Sequence, residues 1–196
     1  MSARDSILDA VRAALAGADR SEVTVPRGYR SATVDDMLAL FAERVEDYRA
    51  SVRVVPADGV TDAIAAALEG ARTVVPRGLP WDVPDAIVDD GLTATELDGI
   101  AAVVTAARIA IAETGTIVLD HTPDQGRRAL SLVPDLHVCV VRSDQVVATV
   151  PDAVARLDPT RPLTWISGPS ATSDIELSRV EGVHGPRTLV VLLVGE

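Results

Sequence analysis

The sequence predicts an α/β fold, a sheet covered by helices on both sides, and two observations carry that prediction. Short apolar runs alternate along the chain with segments whose apolar residues recur at helical spacing, which is the β-α-β rhythm of a parallel sheet. Several of those runs are apolar at every position rather than at every second one, as strands buried on both faces must be. A sheet held between helical layers hides both faces at once.

Each element has its own local reason. Ser2 with Asp5 three residues on has capping-box spacing, Ile7, Val11 and Leu15 follow at period four, and Gly17 stands where a helix stops. Thr33 with Asp36 repeats the signal, and Met37, Phe41, Val45 and Tyr48 mark one face of a second helix ending near Ala50. VRVVP at 52–56 then reads as a strand, VTDAIAAALEG as a helix with Val60, Ile64 and Leu68 inward, and TVVP at 73–76 as a strand. Further strands are expected at 116–120 (TIVLD), 136–141 (LHVCVV), 163–167 (LTWIS) and 188–194 (TLVVLLV). Gly, Pro and Asp collect at 76–91, 120–126 and 158–162, which read as loops. Ser173 or Asp174 is placed to cap a short helix over IELSRV at 175–180.

At 196 residues the chain suits one domain, residues 1–196, with the first 50 forming helices that pack on it. Hydrophobic residues make up 47% of the chain but aromatic ones only 3%, so the core is built from aliphatic side chains. The net charge of −11 and the lack of any basic run argue against a nucleic-acid partner. All 18 basic residues are Arg, which excludes Schiff-base, pyridoxal phosphate and P-loop lysines. Cys139 is the one cysteine, too few for a disulfide framework, an iron–sulfur cluster or a cysteine zinc site, and within LHVCVV it reads as a buried strand residue. His121, His137 and His184 have no metal-ligand spacing, so no metal is expected; the first two lie in or beside strand runs. IAAVVTAA and TLVVLLV fall short of the ~20 residues of a membrane span and the first residues lack a signal-peptide core, so the expected location is the cytoplasm.

Three stretches can carry chemistry. In AIAETGTIVLDH, Glu113 precedes a Thr114-Gly115-Thr116 turn opening into a strand; it reads either as a pocket carboxylate acting as base or nucleophile, with Gly115 admitting a ligand to the backbone, or as a surface acid on a tight turn. Arg127 and Arg128 can fork onto a carboxylate or phosphate, but adjacent arginines point apart, so at most one faces a pocket. SGPSATSD supplies hydroxyls and free N–H groups from Ser167, Gly168, Ser170, Thr172 and Ser173, and as it follows a strand it would lie beyond a carboxyl end, where open α/β sheets bind ligands. His184, set between glycines in VEGVHGP, is a proton shuttle, an anion contact or a hydrogen-bonded structural histidine. Trp81 and Trp165 read as core or pocket wall.

Those stretches carry a resemblance. IAETGT at 111–116, RALSLVPDLHVCVVRSDQVV at 128–147, SGPSATSDIE at 167–176 and VEGVHGPRTL at 180–189 resemble the lactate utilization protein C family, the stand-alone LUD domain proteins. The resemblance implies a three-layer α/β/α sandwich around a mixed, mostly parallel sheet, similar to the NagB/RpiA/CoA-transferase group. It implies a role in oxidising L-lactate to pyruvate beside two partner subunits with cysteine-rich and iron–sulfur motifs, this chain holding no cofactor of its own. Carried onto this sequence, it marks Glu113, Thr114, Gly115, Arg128, Ser167, Gly168, Ser170, Thr172, Asp174, Glu176, His184 and Gly185, with Glu113 and His184 as the candidate catalytic pair. Arg108 departs from the pattern, standing where an acid is expected. Two functional readings follow: a subunit of a lactate-oxidising assembly that binds a small carboxylate, or a free-standing acyl-transfer enzyme in which Glu113 attacks a thioester. A scaffold without chemistry of its own is a third.

Overall fold

The computed structural model describes residues 2–29, 35–172, 180–181 and 184–195. The chain divides into two compact units, Met1–Arg30 and Ser31–Glu196. The first contains helix α1 (Ala3–Leu15), opened by the expected capping box: the Ser2 hydroxyl accepts the Asp5 N–H, and the Asp5 carboxylate accepts the Ser2 N–H at 3.0 Å.

The second unit begins with α2 (Met37–Asp47). Its cap is Asp36 itself, whose carboxylate accepts the Ala39 N–H at 2.9 Å, so Asp36 is the first residue outside the helix rather than the third inside it. Thr33 lies outside the described residues. The elements that follow are β1 (Ser51–Val55), α3 (Val60–Leu68), β2 (Thr73–Val75), β3 (Ile87–Val88), α4 (Ala94–Asp98), β4 (Ala102–Ala106), β5 (Ile109–Ile111) and β6 (Thr116–Leu119). The chain continues through β7 (Leu136–Arg142), β8 (Val146–Val147), α5 (Val150–Arg156), β9 (Thr164–Ile166), β10 (Ala171–Thr172), β11 (Val180–Glu181) and β12 (Thr188–Val194).

Six strands form one all-parallel sheet in the order β1-β12-β7-β4-β2-β3. Its central strands alternate sides. Val138, Val140, Val190 and Leu192 pack against Val60, Ile64 and Leu68 of α3, with Leu79, Trp81 and Val83 from the loop after β2 completing that face. Cys139, Val141, Val191 and Leu193 face the opposite way, onto Phe41 and Val45 of α2 and Ile117 and Leu119 of β6. Near β2 the same face is covered by Leu97 of α4 and Leu130. The α/β class expected from the apolar runs is therefore the one observed.

The second layer differs from a plain helical one. TIVLD and LTWIS do not join the parallel sheet; β8-β5-β6-β9 form a separate four-stranded sheet in which β6 runs antiparallel to β5 and β9. Its outer face, Ile109, Ile111, Val118 and Val147, is covered by Ala153 and Leu157 at α5. Strands β5 and β6 are buried on both sides, so their unbroken apolar pattern matches that of the parallel strands, whereas Trp165 of β9 is exposed. Strands β3, β4, β5, β8, β10 and β11 lie where no strand is expected; of these, β3 falls within the loop stretch 76–91, and β4, from the alanine-rich IAAVVTAA, sits in the middle of the parallel sheet. Alanine has a weak strand preference, and burial in the sheet centre overrides it.

The order of strands reverses between β2 and β4, the topological switch where open α/β sheets leave a ligand crevice beyond the carboxyl ends. Here the loop DHTPDQG closes it. The Pro123 carbonyl accepts the Gly78 N–H at 2.9 Å and the Asp124 carbonyl accepts the Ala106 N–H at 3.0 Å. The fit is tight: a Cβ on Gly78 would lie 2.7 Å from Pro123. Inside the loop, the buried Gln125 carbonyl oxygen accepts the N–H groups of Asp120 and His121 at 2.7 and 3.2 Å. The buried Asp120 lies 3.6 Å from both Arg108 and Arg161.

Candidate functional site

With that crevice closed, a cavity of about 300 Å³ opens elsewhere, beside the amino ends of β7 and β12. Its floor is His137 of β7 and Leu189 of β12, both buried. One wall is the 3-10 turn Arg128–Ser131 with Leu132 after it, and the other is β9 and the turn that follows, Ser167 to Ser170. His184, Gly185 and Pro186 complete the rim. The SGPS turn thus follows the carboxyl end of β9, a strand of the second sheet, so the rule for parallel sheets does not account for its position.

The turn after β9 is held from three sides. Ser167 Oγ shares a 2.9 Å hydrogen bond with Thr116 Oγ1, which accepts the Thr114 hydroxyl at 2.8 Å, so the ETGT turn buttresses the cavity wall. Ser170 Oγ accepts the His184 N–H at 3.1 Å, and the Pro186 carbonyl accepts the Ser170 N–H at 2.8 Å, tying wall to rim. Gly115 and Gly168 have φ of 59° and 78°, and a Cβ on them would lie 2.6 Å from the Arg44 carbonyl carbon and 2.5 Å from Tyr48 Cβ. The close approach that these glycines allow is made by the end of α2.

Arg127 and Arg128 point apart. Arg127 forks onto Asp89 at 2.7 and 2.9 Å, and the guanidinium holds the Asp89 carboxyl below the usual carboxylate range. A further bond runs from Arg127 to the Leu92 carbonyl. Leu130 is buried, and with Arg127 it anchors the turn that presents Arg128 to the cavity. Arg128 has no carboxylate partner among the described residues.

His137 is 1% exposed. Burial pushes its imidazole down to about 4, so it is neutral at physiological pH. Its Nε2 shares a 2.8 Å hydrogen bond with Thr105 Oγ1, and that hydroxyl also lies 3.8 Å from Cys139 Sγ. The Cys139 thiol, pushed up to about 12 by burial, points to the Ala106 carbonyl at 3.9 Å. Among the described residues the cavity therefore offers the Arg128 guanidinium, the neutral His137 imidazole, His184 and the hydroxyls of Ser167 and Ser170.

Comparison with known proteins sets this arrangement in a family. The LUD domain matches residues 27–194. The chain belongs to the LUD domain family. This LUD domain is 54% identical over 170 residues to lactate utilization protein C of Deinococcus radiodurans, covering 82% of this chain and 80% of that protein. It is 26% identical to lactate utilization protein C of Bacillus licheniformis over 97% of this chain and 95% of that one. A DUF162 family protein from Deinococcus radiodurans, with a crystal structure at 1.70 Å, superposes with a TM-score of 0.70 at 42% identity, over 88% of this chain and all of that one.

In this LUD domain, Arg128, Ser167, Gly168, Ser170, His184 and Gly185 meet at one cavity as a group. Thr114 reaches it only through Thr116. Glu113 is exposed and absent from the lining; its N–H donates to the Ala148 carbonyl at 3.1 Å. Thr172 lies in β10, which pairs antiparallel with β11, while Asp174 and Glu176 fall outside the described residues. The helix expected over 175–180 cannot reach its last residue, because Val180 pairs with Thr172 as a strand. Trp165, 43% exposed, is cavity wall, and Trp81 packs on the α3 side of the core. Arg108 lies away from this cavity, in a separate cleft of about 180 Å³ with Arg142 and Arg156. His137, read in the sequence as lying in or beside a strand run, and Ser131 are among the lining residues that the sequence does not mark as site residues. The one available signal for His137 was a titratable side chain inside an apolar strand.

Proposed function

We propose that this LUD-domain protein is the carboxylate-binding subunit of an L-lactate-oxidising system in the cytoplasm. In this reading it works beside two subunits that carry the cysteine-rich and iron–sulfur motifs, and holds no cofactor itself. The relatives named lactate utilization protein C support the pathway. The single observation that carries the binding role is Arg128, a guanidinium without a carboxylate partner among the described residues, facing a cavity floored by a neutral histidine. An arginine fork binds a carboxylate through two parallel N–H bonds, and the hydroxyls of the 167–170 turn can take its remaining lone pairs. Cys139, the chain's one thiol, is sealed in the core and protonated, which supports leaving electron transfer to the partners.

Titration of the full-length protein with propionate, L-lactate and pyruvate tests the role. Arg128→Gln is expected to weaken all three about 10-fold or more, the scale of a lost charge-assisted pair. Equal affinities in the two proteins would end the carboxylate reading. The acyl-transfer alternative needs Glu113 at the cavity, and its exposed place outside the lining gives that reading no support.

A further inference from the structure

We infer that His137 makes the cavity a reader of a ligand hydroxyl, so that it takes a 2-hydroxy carboxylate in preference to the matching 2-keto or unsubstituted acid. The inference rests on the carboxylate-binding reading and adds the second contact. A carboxylate held by Arg128 leaves the substituent on its neighbouring carbon to meet another polar group, and on the cavity floor that group is His137. The ring is almost wholly buried and its Nε2 is committed to Thr105, while Nδ1 has no hydrogen-bond partner among the described residues. A polar atom so placed is satisfied only by what enters the cavity.

The proton pattern decides which ligand that is. With the proton on Nε2, a continuous chain forms: Nε2–H donates to Thr105 Oγ1, the Thr105 hydroxyl to Cys139 Sγ, and the thiol to the Ala106 carbonyl. Every proton in this buried chain then has an acceptor and the contact to sulfur is used, whereas the other tautomer turns the threonine proton away from sulfur. Nδ1 is left with a lone pair that no described residue meets, on a side chain that lines the cavity. A ligand O–H donates to it; a keto oxygen brings a second lone pair against it, and an unsubstituted acid leaves it unmet. Such a subunit binds the reduced acid and lets the oxidised one go.

Two measurements on the full-length protein test this. Ring ¹⁵N NMR is expected to show His137 with a bare Nδ1 and a protonated Nε2 at neutral pH. Titrations are expected to give L-lactate about 10-fold tighter binding than propionate or pyruvate, a ratio that falls to near one in His137→Leu. A protonated Nδ1, or equal binding of the three acids to the wild-type protein, overturns the inference and leaves the carboxylate reading standing. Failure of all three acids to bind overturns both. Should His137→Leu fail to fold, the wild-type tautomer and the wild-type affinity ratio still decide the matter.

Discussion

His137 shows how one residue can serve the core and the cavity at once. Burial holds its imidazole neutral by lowering it from 6.5 to about 4, so the folded protein takes up this proton less readily than the unfolded chain. Between pH 6.5 and 4 the unfolded state binds more protons at this site, so stability falls as the pH is lowered through that window and levels off below it. The full effect is about 3 kcal/mol, an order-of-magnitude figure. Urea unfolding at pH 7 and pH 4.5 measures it, and His137→Leu is expected to flatten the difference. The apolar strand around His137 made its burial legible in the sequence. That His137 also lines a cavity was not, because the other walls come from residues 128–132 and 164–170 and meet β7 only in the folded chain.

Among the elements, α2 and β9 carry the clearest consequences. The end of α2 is pressed against the turns at Gly115 and Gly168, both with positive φ, so the site wall is shaped by a helix outside the cavity lining. Gly168→Ala is expected to cost about 1 to 3 kcal/mol, from overpacking against Tyr48 together with the strained backbone, and to weaken carboxylate binding by displacing Ser167 and Ser170. Thermal melts with the same titrations check both effects, and an unchanged melting temperature would mean that Tyr48 yields without cost. Most element positions were legible from capping and periodicity, and the boundaries of α1, α3, β7 and β12 follow the sequence pattern closely. The assignment of β6 and β9 to a second sheet was not legible. For β6, a strand buried on both faces looks the same whichever sheet buries it, and the pairing of β9 with β6 is a contact between distant segments.

For the whole molecule, the proposed function is a statement about assembly. A tagged pull-down from lactate-grown cells of the source organism, with mass spectrometry and iron analysis, is expected to recover two cysteine-rich, iron-containing partners. Glu113→Gln is expected to leave lactate-dependent growth intact, and hydroxylamine with a thioester to trap nothing on the chain. A clean protein without partners would count against the subunit reading. The sequence by itself determined the α/β class, the aliphatic core, the absence of lysine chemistry and the segments that form the cavity wall and rim, because these depend on local pattern and on residue types present or absent. Only the tertiary structure decided that the DHTPDQG loop closes the crevice at the strand switch, that Arg128 rather than Arg127 faces the cavity, and that Glu113 stays outside it. Those outcomes follow from contacts between segments far apart in the chain, whose geometry no local pattern encodes.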